Sequence, residues 1–161
     1  MLRCHFSLGL VGLLASAAVL AAEQSVYVPN AEHDTPAASE HFTGSAVVRP
    51  LFDQTGPARS YGAVVTFEAG ARTHWHSHPL GQTLIVTSGR GLTQYRSADG
   101  TLSPIETLLP GTVVVCPPNV MHWHGAADDS LMSHIAVSEH SEQPVTWGTA
   151  PEIPASGHPF H

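Results

Sequence analysis

Lysine is missing from this chain of 161 residues, and cysteine occurs only at positions 4 and 116. All six basic side chains are arginines, against thirteen acidic residues, and the formal net charge is −7. Without lysine, the chain cannot form a Schiff base with a substrate carbonyl. The acidic balance argues against binding to nucleic acid or to an anionic membrane surface, because both partners require clustered positive charge.

Residues 1–22 have the pattern of a secretory signal peptide. Arg3 supplies a positive start, an apolar run occupies positions 6–20, and the small residues Ala21 and Ala22 end it. The run is shorter than a membrane-spanning helix requires. We therefore expect cleavage near Ala22, export to the periplasm or the medium, and no membrane attachment afterwards.

Export would also remove Cys4 and leave Cys116 alone, so an intramolecular disulfide is excluded. Cys116 follows an apolar run at positions 112–115. This context is typical of a small buried hydrophobic side chain, and it disfavours a catalytic thiol.

Composition divides the rest of the chain into three parts. Residues 23–44 are polar, interrupted by proline and aperiodic, which predicts an extended N-terminal arm. Residues 45–140 contain many short β-forming runs separated by glycine and proline turns, a pattern typical of an all-β sandwich or barrel. Residues 141–161 lack periodicity, so we expect an irregular C-terminal tail that packs through Trp147.

Histidine is the over-represented polar residue, with twelve in the chain. Side chains at positions i and i+2 of a strand share one face. Imidazoles in such a pattern, in a chain poor in cysteine, favour a site for a divalent metal with nitrogen ligands. Five histidines follow this spacing in two short segments, at His74, His76, His78, His122 and His124.

The spacing in these segments resembles the two motifs of the cupin family. The first reads Gly70, five residues, His76, one residue, His78, three residues, Gln82, six residues and Gly89. The second reads Gly111, five residues, Pro117, one residue, Asn119, two residues, His122, three residues and Ala126. The resemblance implies a single all-β cupin domain over residues 45–140, a jelly-roll barrel (double-stranded β-helix) with a metal inside.

Three positions depart from the family pattern. The family usually has Glu where this chain has Gln82, and Gly and Asn where it has Asn119 and Ala126. Asn119 is a mild departure, because asparagine tolerates the left-handed backbone that such a turn needs. Gln82 is the informative departure, since a neutral amide leaves a bound divalent ion with more positive charge, more Lewis acidity and more attraction for anions such as cyanide.

A closer resemblance covers residues 65–73, 75–87 and 122–126. These stretches are similar to small bacterial cupins that include manganese-dependent (R)-hydroxynitrile lyases and carboxymuconolactone-decarboxylase-associated cupins. The resemblance implies one divalent metal ion, with manganese preferred and iron, nickel or zinc as alternatives. Its implied ligands are His76, His78, Gln82 and His122.

Further histidines are predicted to act beside the metal. His124 shares the inward face with His122, and His134 lies on the predicted strand 133–138, so both are candidates for acid–base catalysis. His74 shares a predicted strand face with His76, at a position where similar lyases have alanine. The predicted substrate pocket is lined by Ala63, Val65, His74 and Ser138.

The resemblance implies Lewis-acid lyase chemistry on a small molecule, in which a cyanohydrin is cleaved to an aldehyde and cyanide. Two alternatives stay open from the sequence. One is a cupin dioxygenase or isomerase, and the other is a non-catalytic periplasmic cupin that binds a small molecule or metal. We also expect a homo-oligomer, a dimer or tetramer, because single-motif cupins often pair through their sheet edges.

Overall fold

A computed structural model describes residue 24 and residues 26–54 and 56–153. The predicted signal peptide lies outside the described residues, as does the end of the tail from position 154. Within the described part of the chain, no helix has the length and apolar character that crossing a bilayer demands.

The described residues form short strands and a single 3₁₀ turn, as the all-β prediction requires. The turn is Ala31–His33, and the strands are β1 Thr35–Pro36, β2 Phe42–Thr43, β3 Ala46–Asp53, β4 Ser60–Phe67, β5 Arg72–Thr73, β6 His76–Ser77, β7 Gln82–Gly89, β8 Gly91–Tyr95, β9 Glu106–Leu108, β10 Val113–Cys116, β11 His122–Ala126, β12 Met132–Glu139 and β13 Thr146–Trp147.

The strands form two antiparallel sheets. The first sheet has the strand order β1-β3-β4-β12-β7-β10. The second has the order β13-β6-β11-β5-β2, with β8 also paired to β11 and β9 to β8. Both sheets contribute to one buried apolar cluster, which includes Phe67 and Met132 from the first and Leu108 and Ala126 from the second. The prediction of an all-β jelly-roll barrel is therefore confirmed.

The strand that was predicted to carry both His74 and His76 is interrupted. It consists of β5 and β6, which both pair with β11, while His74 and Trp75 lie between them. The amide of His74 donates to the carbonyl of His41 at 2.7 Å, and that of Trp75 donates to Thr149 at 3.0 Å. The break therefore follows from competing hydrogen bonds to the arm and the tail, which satisfy these amides outside the sheet.

The arm and tail also add strands to the sheets. In the arm, β1 pairs with β3 and β2 pairs with β5. In the tail, β13 pairs with β6, so that Trp147 lies opposite His76. The arm therefore pairs with β5 and the tail pairs with β6, and both of these strands lie in the first cupin motif.

The turn before β11 has a left-handed residue, as the sequence predicted. Asn119 has φ 61°. Among the described residues, it is the one residue other than glycine that has a positive φ. Its amide donates to the carbonyl of His78 at 2.9 Å. This bond joins the turn of the second histidine motif to the first motif.

We expect Asn119→Gly to change the free energy of unfolding by less than about 0.5 kcal/mol. Asn119→Val should destabilise the protein by about 1–2 kcal/mol, because a β-branched side chain clashes in the left-handed region. Urea unfolding of the metal-free protein measures both values. Equal stability of the two variants would contradict the assigned turn geometry.

Candidate metal centre

Pairing of β6 with β11 brings the two histidine motifs together. His76 lies directly opposite His122 in the sheet, and their ring centroids are 4.3 Å apart. The ring centroids of His124 and of His78 each lie 5.3 Å from the ring centroid of His76. His76 and His122 are each only 2% exposed, so the cluster is inside the barrel.

Three of these imidazoles have donor atoms that could share one cation. Each of His76, His122 and His124 offers a ring nitrogen, and the three nitrogens lie within 4.8 Å of one another. His78 is adjacent and buried, with its ring centroid 6.0 Å from that of His122. Gln82 places its Oε1 3.5 Å from Nε2 of His122. The ligand set His76, His78, Gln82 and His122 stays a prediction, because the described geometry groups His124 with His76 and His122.

Backbone carbonyls fix the tautomers of two of the imidazoles. Nδ1 of His76 donates to the carbonyl of His74 at 2.9 Å, and Nδ1 of His122 donates to Val120 at 2.9 Å. A carbonyl oxygen only accepts, so the proton is on Nδ1 and a lone pair remains on Nε2. Such a bond orients a metal-binding imidazole and raises its basicity.

Burial keeps the clustered imidazoles neutral. It lowers the pKa of His76 to about 3, and repulsion from His122 adds to the effect. The pKa of His78 falls to about 4 for the same two reasons. Burial also lowers the pKa of His122, although its hydrogen bond to Val120 acts in the opposite direction. At neutral pH these lone pairs are therefore free of protons, as metal binding requires.

The cluster fits a divalent cation because it contains buried ring nitrogens without a hydrogen-bond partner. Nε2 of His78 and Nε2 of His124 are buried and have no hydrogen-bond partner among the described residues. A buried polar group without a partner costs about 1–3 kcal/mol. Imidazole nitrogens with one amide oxygen suit borderline ions such as manganese, iron, nickel or zinc. A cation held by His76, His122 and His78 would supply a partner for Nε2 of His78.

The two predicted acid–base residues are in direct contact. Nε2 of His134 lies 3.1 Å from Nδ1 of His124, and the two side chains are 0% and 3% exposed. Burial lowers the pKa of His134 to about 4. Burial, followed by repulsion from His134 and the other imidazoles, lowers the pKa of His124 well below its usual range. Both rings are therefore neutral, and the one proton of the hydrogen bond between them can pass from one ring to the other.

The predicted pocket residues lie mainly on the first sheet. Val65 is buried on β4 opposite His134, and Ser138 is buried on β12 opposite Gln82. Ala63 is half-buried on β4. His74 is half-buried at the break between β5 and β6, and the ring contacts of the described residues do not include it. Contact of these four residues with a substrate stays a prediction.

A cavity of about 610 Å³ borders the cluster at His122. Its walls come from β8, β9 and β10, and they include Thr93, Leu108, Val114 and Cys116. Sequence reasoning missed this wall, since β9 carries no motif and its strand was not predicted. Trp147 was expected to pack, but its contact with His76, at 4.8 Å between ring centroids, was not foreseen.

The fold and the histidine cluster define a cupin. The family described as "Cupin domain" matches residues 63–138. The chain belongs to the cupin family. It is similar to an (R)-mandelonitrile lyase from Granulicella tundricola, with 46% identity over 110 residues that cover 68% of this chain and 80% of the relative.

Solved structures agree with this assignment. A cupin-like protein from Thermotoga maritima is 40% identical, with a TM-score of 0.65, over 79% of this chain and 90% of that one. A cupin 2 conserved barrel domain protein from Rhodopseudomonas palustris is 16% identical, with a TM-score of 0.62, over 78% of this chain and 88% of that one. The second likeness shows the fold alone.

The metal-free protein should lose stability as the pH falls below about 6.5, the ordinary pKa of histidine. The folded pKa values of His76, His78 and His134 are lowered to about 3, 4 and 4. Between these pH values the unfolded chain binds more protons than the folded chain. The free energy of unfolding is therefore greatest above pH 6.5 and declines towards pH 4. Urea unfolding in EDTA at pH 7.5, 6 and 5 measures this decline.

Two variants control this measurement. His33→Gln removes an exposed imidazole and should leave the decline unchanged. His78→Gln removes a buried one and should reduce it. A free energy of unfolding that is constant from pH 7.5 to 5 would contradict the neutral cluster.

Proposed function

We propose that this protein is a metal-dependent lyase that cleaves cyanohydrins to an aldehyde and cyanide. The observation that carries this proposal is the buried cluster of neutral imidazoles, in which Nε2 of His78 and of His124 lack a partner, beside the His124–His134 pair. The similarity to an (R)-mandelonitrile lyase supports the choice of reaction. A small-molecule substrate and a single divalent ion, with manganese preferred, belong to the same proposal.

His76, His78, Gln82 and His122 would hold the ion. When bound, it supplies Lewis acidity and positive charge for an oxygen or cyanide group. The ligands themselves are neutral, so they do not cancel this charge. Their burial keeps water away and strengthens electrostatic interactions with a bound anion.

The cleavage requires a base that takes the hydroxyl proton and an acid that returns it. Nε2 of His124 is buried and unpartnered, so it is available to accept the hydroxyl proton. The carbon–cyanide bond then breaks, its electron pair leaves with cyanide, and the hydroxyl carbon becomes the aldehyde carbon. In the tautomer with the proton on Nδ1 of His124, Nε2 of His134 would accept this hydrogen bond and stabilise the imidazolium. The imidazolium then returns this proton to cyanide, and hydrogen cyanide leaves.

The cavity beside His122 is suited to the organic part of the substrate. Its volume of about 610 Å³ lies within the usual range for small-molecule sites. Leu108 and Val114 supply apolar walls, and Thr93 supplies a hydroxyl. The predicted wall of Ala63, Val65 and Ser138 would approach the reacting group from the first sheet, and His74 would approach it from the break between β5 and β6.

Export and self-association complete the proposal. We propose that the protein acts in the periplasm or the medium after the signal peptide is removed. We propose a dimer or tetramer, because Ile85, Val113 and Val115 expose apolar side chains on paired strands β7 and β10. Such a patch favours contact with a second apolar surface.

Manganese-loaded protein should release benzaldehyde from mandelonitrile. The ultraviolet absorbance of benzaldehyde measures the rate. His122→Ala removes a proposed ligand, so it should release benzaldehyde no faster than buffer does. A rate for the unsubstituted protein equal to that of His122→Ala would overturn the lyase assignment. Manganese binding without turnover would instead favour a non-catalytic cupin.

His124→Ala should lower kcat by roughly 10²- to 10⁴-fold, since it removes the acid–base group. Its Mn²⁺ affinity should stay close to that of the unsubstituted protein, whereas His78→Ala should bind Mn²⁺ more weakly. Steady-state kinetics and isothermal titration calorimetry measure the two quantities. The reverse pattern of affinities would make His124 a ligand in place of His78.

A further inference from the structure

Trp147 lies against the ring of His76. The two ring centroids are 4.8 Å apart, and the planes are inclined by only 27°, so the rings are stacked. Pairing of β13 with β6 sets this contact, because Trp147 is directly opposite His76. Two backbone bonds fix the pairing, from Gly148 to the carbonyl of Trp75 at 2.7 Å and from Trp75 to Thr149 at 3.0 Å.

The N-terminal arm holds Trp147 in turn. The ring of His41 lies 4.0 Å from that of Trp147, and the planes are inclined by 3°. The carbonyl of His41 accepts the amide of His74 at 2.7 Å, which fixes this part of the arm. His41, Trp147 and His76 therefore form a series of three stacked rings, with one ring each from the arm, the tail and the first histidine motif.

The stack constrains the ring of His76 in a direction that its hydrogen bond leaves free. The bond from Nδ1 to the carbonyl of His74 fixes one edge of the imidazole, but the ring can still tilt about that bond. Trp147 covers one face of the His76 ring, and the ring centroid of His122 lies 4.3 Å from that of His76. A tilt would turn Nε2 away from the nitrogens of His122 and His124.

We propose that Trp147, held by His41, is a positioning residue of the metal centre. It keeps the ring of His76 at the angle that metal binding requires, so the arm and tail set the metal affinity. The proposal rests on the metal centre and does not depend on the lyase reaction. Groups that orient metal ligands commonly contribute 10- to 100-fold in affinity.

A packing role alone would have a different signature. Trp147 is half-buried, and its neighbour Thr146 is exposed. If Trp147 only covered apolar surface, its replacement would lower stability and leave the metal site intact. Aromatic and aliphatic replacements distinguish the two roles, because only the aromatic ring preserves a stack on His76.

The experiment compares Trp147→Phe with Trp147→Leu. We expect Trp147→Leu to weaken Mn²⁺ binding by roughly 10- to 100-fold, measured by competition with a fluorescent chelator. Trp147→Phe should restore most of the affinity. Phe52→Leu replaces a half-buried aromatic residue on β3 and should leave the affinity unchanged.

A spectroscopic readout accompanies the affinities. The electron paramagnetic resonance spectrum of bound Mn²⁺ should broaden or shift in Trp147→Leu, because the ligand angle changes. The spectra of Trp147→Phe and Phe52→Leu should match that of the unsubstituted protein. The unfolding temperature of each metal-free variant checks that the variants are folded.

Unchanged Mn²⁺ affinity and an unchanged spectrum in folded Trp147→Leu would overturn the proposal, as would a failure of the unsubstituted protein to bind Mn²⁺. If Trp147→Leu does not fold, His41→Leu is the test, because it removes the outer ring and leaves β13 intact. Weaker Mn²⁺ binding in that variant supports the proposal, and unchanged binding overturns it. The expected affinities without mandelonitrile cleavage would support the positioning role and reject the lyase reaction.

Discussion

The opposition of His76 and His122 across β6 and β11 is the constraint on which the candidate site depends. It brings the imidazole rings of two segments that are far apart in the sequence into contact. Each ring donates Nδ1–H to a carbonyl two residues earlier, so each presents a bare Nε2. The rest of the barrel maintains this arrangement, and burial keeps the rings neutral.

Motif spacing and strand alternation predicted much of this arrangement. The period of two predicted that His122 and His124 share a face, and their rings are stacked on β11 with centroids 6.0 Å apart. The cupin resemblance predicted the barrel and the left-handed turn at Asn119. The same reasoning assumed an unbroken strand through His74, and this was wrong because the arm and tail take the hydrogen bonds of His74 and Trp75.

Other features could not be predicted from local pattern. The pairing of Trp147 with His76 depends on a tail that has no periodicity, so only the folded chain reveals it. Likewise, β9 is a three-residue strand with two exposed side chains, too short to produce a recognisable alternation. Whether His78 or His124 completes a ligand set depends on side-chain torsions, which sequence spacing does not determine.

A cation shared by the two histidine segments can be located by diffraction at the manganese absorption edge, with crystals of the manganese-loaded protein. We expect one anomalous peak per chain within bonding distance of Nε2 of His76, His78 and His122. A peak elsewhere, or no peak from crystals that contain manganese in their buffer, would contradict a shared cation at the junction of β6 and β11.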